Sequence, residues 1–518
     1  MKLSSIFFFL LTLTFLHSTL SAQEQEIAAP HCGVTGKSKW LTRYQAGEIA
    51  PVPKFASFSY IPSRLIIVGN DDGTGYLDHQ ALIRGMEQFN EDFATADLQF
   101  YLSEIVYYDD SDLYVHDNRQ STGPNIVFRE AENGVMNLFF VGQIGATSPG
   151  GVIGYAYPNR NVMVIQNDQP ATGNHTMAHE MGHALSLAHT FYGWEIRDPS
   201  SEDFDPNAPA PATLRYRGQD VQVEKADGSN CETAADGFCD TAPDYISQGG
   251  WDCNSNVEYQ DSLLDPDSTR LAVPGTNFMS YADDRCASTF TPEQLTAMQT
   301  NLTFRNDLRE DNSGDGAIAA LGEDLNLIFP EDGARTEWSN YVELEWSSVP
   351  NADFYLVQLN VNRNFGGSVF RSFFTKDTTA IIDEGLVANR RYYWRVRPIN
   401  AYLTSSEFGE EIWDFRTGRN AVSSIDPTLD AAITLAPNPV YGGQDLRITG
   451  RDLGIGGKLT YELIDPAGRI LLSRENISVA AATGFSERIE TTELPAGVYF
   501  LRLRLDDKLV TRRVMVTP

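Results

Sequence analysis

One short segment, His179–His189 with the sequence HEMGHALSLAH, restricts the fold of this chain more than any other. His179 and His183 are four residues apart, so a helix places them on the same face, one turn above the other. Glu180 directly follows the first histidine, where its carboxylate can accept a proton from a metal-activated water. The segment therefore predicts a helix that presents two neutral imidazoles to a zinc ion.

The third metal ligand is less obvious, because a catalytic zinc site needs three protein ligands and one open position. His189 is the last histidine of the chain, and it reaches the ion if the helix ends near Ser186 and the chain turns back. His175 is a competitor, but it would lie about 12 Å from His183 along a straight helix. We therefore predict His179, His183 and His189 as ligands, with His175 at the surface or supporting them. A glutamate further along the chain is the alternative third ligand.

The segment resembles the long signature of the metzincins, H-E-x-x-H-x-x-G-x-x-H, which a Met-turn follows later in the chain. Ser186 stands at the glycine position, where the backbone must become left-handed to end the helix, and serine adopts that conformation at some cost. NFMSYADD, residues 277–284, is the candidate Met-turn. The resemblance implies that Met279 forms an apolar floor under the metal and that Tyr281 donates its hydroxyl to a developing oxyanion.

Three stretches in order narrow the resemblance to the pappalysin family: HEMGHALSLAHTF, CDTAPDY and NFMSYADDRCASTFTPEQLTAM. The similarity extends over residues 55–310. It implies that His179, His183 and His189 bind zinc, that Glu180 is the general base, and that Tyr281 assists. It also implies an α+β metzincin-like catalytic domain, built from a mixed twisted sheet and the active-site helix.

Hydrophobic patterns place several elements in this region. Asp78–Phe93 has apolar residues at helical spacing, and Thr291–Leu308 predicts a closing helix with Pro292 in its first turn. The glycine-rich segment Gly151–Tyr157 predicts an edge strand, which either pairs with an extended substrate or serves only as scaffold. Further strands are predicted at Arg64–Gly69, Leu98–Leu102, Ile126–Phe128, Asn137–Gly142 and Val162–Gln166.

Length and charge limit the partners of the chain. Its 518 residues suggest about three domains. The net charge of −31 argues against nucleic acid or an anionic membrane as a partner.

Residues 1–22 resemble a signal peptide, with a positive start at Lys2, an apolar run at Ile6–Leu16 and small residues at Ser21–Ala22. No later segment is long and apolar enough to predict a transmembrane helix. We therefore expect a secreted protein, in which disulfides can form.

Residues 23–54 are predicted to be a pro-segment, and Cys32 is its most informative residue. The five cysteines are odd in number, so at least one has no partner within the chain. A thiolate is a good zinc ligand, so Cys32 could fill the open position and hold an enzyme latent; pappalysin-like precursors have a similar Cys-Gly pair. The alternative is a disulfide between Cys32 and the catalytic domain. Arg43 and Lys54 are candidate activation sites.

The long irregular segment 190–275 is expected to be held by disulfides or metal ions. Connectivity cannot be read from sequence, but we favour Cys253–Cys286 and Cys231–Cys239. Asp283 and Asp284 would flank the pocket for the residue after the cut bond and favour Arg or Lys there. Calcium ligands or a solvated acidic loop are equally good explanations of the carboxylates Asp198, Glu202, Asp203, Asp205, Asp236, Asp240 and Asp244.

Two β domains are predicted to complete the chain. Residues 326–418 show strand alternation and resemble a fibronectin type III sandwich, with Trp346 and Trp394 in its core; a spacer role is favoured over substrate contact. Residues 433–518, with LAPNPV, LPAGVYFLRL and KLVTRRVMV, resemble the C-terminal sorting domain of the type IX secretion system. That resemblance implies export across the outer membrane by the type IX machinery, with the domain then removed or exchanged for a surface anchor. An ordinary adhesion module is the alternative.

Two functional classes follow from these features. The first is a secreted zinc endopeptidase that hydrolyses protein or peptide substrates with metal-activated water. The second is a non-catalytic surface adhesin built on a protease-like domain, which the intact Glu180 and the complete histidine set disfavour.

Overall fold

The structure is a computed structural model, and it describes most of the chain beyond residue 30. The predicted signal peptide and residues 23–30 of the pro-segment lie outside the described residues. The described residues are 31–34, 36–52, 59–117, 122–145, 152–195, 208–245, 258–259, 263–271, 273–281, 286–308, 321–322, 324–366, 369–403, 408, 411–419, 429, 432–438, 440–441, 443–451, 453, 456–465, 469–480, 484–492, 494–495, 497–506 and 508–517.

The first region, up to residue 308, contains a mixed sheet with helices around it. Its elements are β1 His31–Cys32, α1 Lys39–Gln45, β2 Ser59–Gly69, α2 His79–Asp92, β3 Leu98–Asp109, α3 Ser111–Tyr114, β4 Val115–His116, α4 Thr122–Glu130, β5 Met136–Val141, β6 Gln143–Ile144, β7 Val152–Ala156, β8 Val162–Gln166, α5 Thr176–Ala184, β9 Thr213–Tyr216, β10 Gln219–Gln222, β11 Glu258–Tyr259, β12 Val273–Pro274 and α6 Pro292–Leu302.

The main sheet has the strand order β3-β2-β5-β8-β7-β6-β4, and β1 pairs with β7. Strands β3, β2, β5 and β8 are parallel, whereas β7 is antiparallel to β8. Strand β5 is buried along its whole length, as expected for a central parallel strand with both faces covered. Strand β1 comes from the predicted pro-segment and runs parallel to β7, with Cys32 opposite Gly154.

Two sequence-based expectations in this region need correction. Ile126–Phe128 is part of helix α4 and not a strand; a short apolar run does not distinguish the two, and here Ile126 and Val127 form the buried face of the helix. The closing helix α6 stops at Leu302, before the predicted end at Leu308. It begins with a capping box between Thr291 and Gln294, followed by Pro292 at the first position.

The second region contains a three-stranded sheet, β13-β15-β18, and a five-stranded sheet, β14-β20-β19-β16-β17. Trp346 and Trp394 are both buried in the core between these sheets, where the sequence predicted them. The strands are β13 Leu327–Phe329, β14 Ala334–Arg335, β15 Val342–Trp346, β16 Phe354–Asn360, β17 Arg371–Thr375, β18 Thr379–Ile382, β19 Arg391–Ile399 and β20 Trp413–Arg416.

The third region repeats this arrangement with sheets β21-β23-β26 and β22-β28-β27-β24-β25 around a separate apolar core. Alternate residues of β27, such as Leu501 and Leu503, are fully buried, which is the period-two pattern of a strand with one face on a core. The strands are β21 Ile433–Ala436, β22 Val440–Tyr441, β23 Asp445–Gly450, β24 Gly457–Ile464, β25 Ile470–Val479, β26 Phe485–Glu490, β27 Gly497–Leu505 and β28 Lys508–Thr517.

The second region packs directly against the edge strand β3 of the first. The backbone N–H of Leu102 donates to the carbonyl of Ala401 at 2.8 Å, which covers part of an otherwise open sheet edge. The buried Arg397 pairs with Glu87 of α2 at 2.9 Å. Phe354, Leu356, Phe374 and Ile399 join the apolar core of the first region. The second region therefore contributes to the packing of the first, besides any spacer role.

Among the helices of the described residues, none combines the length and apolar character needed to cross a bilayer.

We predict that His79, which lies at this contact between regions, makes the stability of the fold sensitive to acid. Its Nε2 lies 2.8 Å from the Tyr107 hydroxyl, and burial lowers the pKa of His79 to about 4. The unfolded chain, with a histidine pKa near 6.5, therefore binds this proton first, so stability is lost as the pH falls from about 6.5 towards 4. The loss reaches about 3 kcal/mol at most. His79→Gln should show a smaller fall in the thermal midpoint between pH 7 and pH 4.5; an unchanged fall would show that His79 does not set this acid sensitivity.

Candidate metal centre

The active-site segment forms helix α5, Thr176–Ala184, and every residue of this helix is buried. The helix ends in a Schellman motif, in which Leu187 N–H donates to the carbonyl of Gly182 and Ser186 N–H to that of His183, both at 2.8 Å. Ser186 has a φ of 78°, so serine adopts the left-handed backbone expected at this position. Its hydroxyl donates to Asn159 at 2.9 Å and accepts from Asn301 at 3.2 Å, which helps offset the strain.

This helix end turns the chain back and brings three imidazoles together. The Nε2 atom of His183 lies 3.2 Å from Nε2 of His179 and 3.1 Å from Nε2 of His189. Ligands about 2.05 Å from a tetrahedral zinc ion would be about 3.3 Å apart, so this spacing fits a bound ion. His175 is not in the group; it pairs with Asp92 at 2.9 Å.

The other ring nitrogens favour one tautomer of two of these histidines, and burial favours their neutral form. Nδ1 of His179 lies 2.6 Å from the carbonyl of Phe278, and Nδ1 of His183 lies 2.9 Å from the carbonyl of Leu187. A proton on each Nδ1 leaves the Nε2 lone pairs facing one another. Burial lowers the pKa of His179 to about 4 and that of His183 well below its usual value. The neutral imidazole, which is the metal-ligating form, is therefore favoured.

Cys32 completes the cluster. Its Sγ and one ring nitrogen of each of the three histidines all lie within 4.8 Å of one another, in a group able to hold a metal ion. The Cys32 thiol is free and buried, lies 3.3 Å from Glu180 Oε2 and accepts the N–H of Val34 at 3.2 Å. Burial, and then the negative charge of Glu180, raise the pKa of this thiol; a cation at the cluster would oppose both effects.

Glu180 is fully buried beside the histidines. Burial raises the pKa of its carboxyl to about 8. Its Oε1 has no hydrogen-bond partner among the described residues. Gly154 of β7 leaves the space for this side chain, because a Cβ at residue 154 would lie 2.9 Å from Glu180 Cγ and 3.0 Å from its Oε1.

The segment 278–281 also packs against the histidine cluster. Met279 is fully buried, and its sulfur lies where a side chain on Gly182 would be, 2.4 Å from an added Cβ. The Tyr281 ring centroid is 5.0 Å from that of His189, and its hydroxyl accepts the Cys32 N–H at 2.8 Å. Asp283 and Asp284 lie outside the described residues.

The segment after the helix contains a disulfide between Cys231 and Cys239. Cys253 lies outside the described residues, so the Cys253–Cys286 pairing remains a prediction.

Asp236 and Asp244 are buried and accept hydrogen bonds from threonine and serine hydroxyls. Within the part of the chain that the structure describes, the histidine–cysteine cluster is the one group of potential ligands close enough to hold an ion, so calcium finds no support. Asp198, Glu202, Asp203 and Asp205 lie outside the described residues.

Sequence reasoning missed two residues in this part of the structure, one beside the metal cluster and one on the segment that contains Cys32. Glu195 is buried, and its Oε1 lies 3.6 Å from Nδ1 of His189. Lys37, five residues after Cys32, donates to Oε1 of Gln45 at 3.1 Å. The charge pattern contained no periodicity that would have distinguished either residue from the many other charged residues of the chain.

Comparisons with known proteins find similarity for two parts of the chain. Residues 434–517 match the model of the secretion system C-terminal sorting domain. The protein is secreted or attached to the cell surface. The chain is also distantly similar to an extracellular metalloprotease of Colletotrichum graminicola, at 26% identity over 262 residues that cover 46% of this chain and 74% of that protein. An extracellular metalloprotease of Pyricularia oryzae is 23% identical over 257 residues, covering 46% and 71%.

A structural comparison finds the three fibronectin domains FN1–FN3 of chicken CNTN1, with 10% identity and a TM-score of 0.16. The match covers 36% of this chain and 66% of that one. This likeness is too slight to support an inference about function.

The contact between Gly182 and Met279 predicts a strong effect of a single methyl group. Gly182→Ala would drive the new Cβ into the Met279 sulfur, and overpacking of this kind costs about 1–3 kcal/mol. We expect a lower thermal midpoint and a lower content of bound metal after dialysis. Met279→Ala in the same chain should restore part of both, because it removes the clashing atom. Equal losses in the single and double variants would contradict this packing.

Proposed function

We propose that this chain is a secreted zinc-dependent endopeptidase of the pappalysin type, with His179, His183 and His189 as the zinc ligands. The observation that supports this most is the convergence of three imidazole Nε2 atoms, with neighbouring pairs 3.1–3.2 Å apart, next to a buried carboxyl group. The distant similarity to extracellular metalloproteases supports the same activity. The donor set fits zinc because three imidazoles leave one position of a tetrahedral site open.

The residues around this position have distinct roles in peptide hydrolysis. When bound, the ion would supply Lewis-acid polarisation of the substrate carbonyl and lower the pKa of a water molecule. Glu180 would accept a proton from the attacking water and pass it to the leaving amine. Its buried environment raises its proton affinity, which suits a general base. The Tyr281 hydroxyl would donate a hydrogen bond to the carbonyl oxygen as negative charge develops there.

Two alternatives are less consistent with the site. A glutamate as third ligand would need a carboxylate among the Nε2 atoms, whereas Glu195 faces Nδ1, the opposite nitrogen of His189. A non-catalytic adhesin would have no need to keep the Glu180 carboxylate fully buried, because an unpaired buried carboxyl group costs stability.

We also propose that the pro-segment, residues 23–54, holds the enzyme latent through Cys32. Its Sγ stands in the ligand group with the three histidines, where it would fill the open coordination position. Strand β1 pairs with β7 through Cys32 and Gly154, so it occupies the strand edge that an extended substrate would use. The Cys32 N–H also engages the Tyr281 hydroxyl. Substrate binding and catalysis would then both require removal of the segment.

The remaining segments fit this proposal as parts of an exported precursor. Residues 1–22 would be the signal peptide, 55–310 the metalloprotease domain and 326–418 a fibronectin type III-like domain. Residues 433–518 would be the sorting domain read by type IX secretion machinery, consistent with the match over residues 434–517. Protein or peptide substrates would be cleaved outside the cell.

Replacing Glu180 tests the proposed activity. Glu180→Gln retains the shape of the side chain but removes the base, so hydrolysis of a mixed peptide library by the processed protein should fall at least about 100-fold. Zinc content, measured by elemental analysis, should stay at one ion per chain, whereas His189→Ala should lose it. His116→Gln, at a buried histidine outside the cluster, is the control and should retain both. Cleavage by Glu180→Gln at the rate of the parent would exclude the general-base role.

Replacing Cys32 tests the proposed latency. Cys32→Ala removes the thiol from the ligand group, so the unprocessed full chain should cleave a fluorogenic peptide at least about 10-fold faster than the parent. Intact-mass measurement must show that the segment is still attached. The double variant Cys32→Ala with Glu180→Gln should be inactive, which assigns the new activity to this site. An unprocessed Cys32→Ala chain as inactive as the parent would contradict the switch.

A further inference from the structure

The backbone at Ser186 determines where two parts of the histidine cluster lie. Ser186 is 1% exposed and has a φ of 78°, a left-handed conformation that strains a residue with a Cβ. The chain beyond it supplies the Leu187 carbonyl, 2.9 Å from Nδ1 of His183. It also supplies His189, whose Nε2 lies 3.1 Å from Nε2 of His183. A change of backbone conformation at Ser186 would therefore displace a ligand-orienting carbonyl and one proposed ligand together.

Two asparagines from separate parts of the chain hold the Ser186 side chain. Asn159 lies in the turn between β7 and β8, and Asn301 lies in the last turn of α6. The Ser186 hydroxyl donates to Oδ1 of Asn159 at 2.9 Å. Nδ2 of Asn301 donates to the same Oδ1 at 2.8 Å and to Oγ of Ser186 at 3.2 Å. These three residues, which we call the turn network, thus form a closed triangle of hydrogen bonds.

The carbonyl of Ala184, at the end of α5, is held from the same two parts of the chain. It accepts the backbone N–H of Asn159 at 3.2 Å and Nη1–H of Arg305 at 2.9 Å. The Arg305 guanidinium is buried, and it donates to both carboxylate oxygens of Asp307 at 2.7 and 2.8 Å. The last turn of the active-site helix is therefore tied to the β7–β8 turn and to the segment that follows α6.

The turn network is buried, which makes its geometry specific. Asn301 is 0% exposed, so water does not readily replace its amide as a donor. Removal of that donor would leave the oxygens of Asn159 and Ser186 with one partner fewer, and a buried polar group that loses a partner destabilises the arrangement around it. Glycine in place of Ser186 would need no such support, because it has no Cβ and adopts a positive φ readily.

We propose that Asn159 and Asn301 are positioning residues of the metal centre, which hold Ser186 in the left-handed conformation and thereby keep His189 in the ligand group. In this chain they supply by hydrogen bonding what glycine supplies by its small size at the same place in the long metzincin signature. The link to metal binding rests on the proposed function, whereas the support of the turn does not.

The rate at which the zinc-loaded full chain loses zinc to EDTA tests the link to the metal without a measurement of activity. Asn301→Leu retains a branched side chain but removes the donor, so zinc loss should be at least about 10-fold faster than in the parent, as expected when the support of a metal ligand is removed. Gln299→Met is the matched control, because it removes a buried amide of the same helix that donates to the carbonyl of Ala96 at 2.8 Å. Its rate should stay within about twofold of the parent, since its contact is independent of the turn.

Ser186→Gly shows whether Asn301 acts through the strained turn. In that background, Asn301→Leu should accelerate zinc loss by less than about threefold, because glycine adopts the turn unaided. The thermal midpoint of the metal-free chain should likewise fall less on Asn301→Leu in this background than in the parent. Equal accelerations in the two backgrounds, or equal rates for Asn301→Leu and Gln299→Met, would overturn the proposal.

A failure of the proposed function would give a different result. A parent chain that binds no zinc would refute the zinc site itself, and the thermal midpoints of the metal-free variants would then test the turn alone. A smaller fall for Asn301→Leu in the Ser186→Gly background would still support the turn network, whereas equal falls in the two backgrounds would overturn it.

Discussion

The structure of the first region is arranged around three imidazoles whose Nε2 atoms approach one another to little more than 3 Å. Such an arrangement is unfavourable without a cation, so other contacts must hold it. Two backbone carbonyls, of Phe278 and Leu187, hold the rings of His179 and His183. The Schellman motif at Ser186 then sets the direction of the chain towards His189. Helix α5, the turn at Ser186 and the segment that contains Met279 therefore all help to hold the three imidazoles together.

Burial also changes the acid–base properties of the groups around these imidazoles. Glu180 is fully buried, and one of its oxygens has no hydrogen-bond partner among the described residues, so its carboxyl group binds protons more tightly than it would in water. The Cys32 thiol is placed against it and against the imidazoles. The segment that contains Cys32 thus adds a potential soft ligand to this cluster.

The rest of the chain is not a set of independent modules. The second region covers part of the open edge of β3, and Phe354, Leu356, Phe374 and Ile399 extend the apolar core of the first region. A buried ion pair between Arg397 and Glu87 lies at this contact. The third region has its own core and the sorting-domain match, consistent with a unit whose role is export. The stability of the first region therefore depends in part on its contacts with the second region.

Spacing along the chain alone determined that His179 and His183 share a helix face with Glu180 beside them. It also determined that tryptophans at alternating positions of later strands face a core. These are local relations, fixed by 3.6 residues per turn or a period of two. Local pattern failed at Ile126–Phe128, where three apolar residues fit either element. Only the tertiary structure brought Cys32 to Glu180 and the second region to β3. Those contacts join residues about 150 to 300 positions apart, and no short-range periodicity specifies them because burial and charge pairing are decided by the folded chain as a whole.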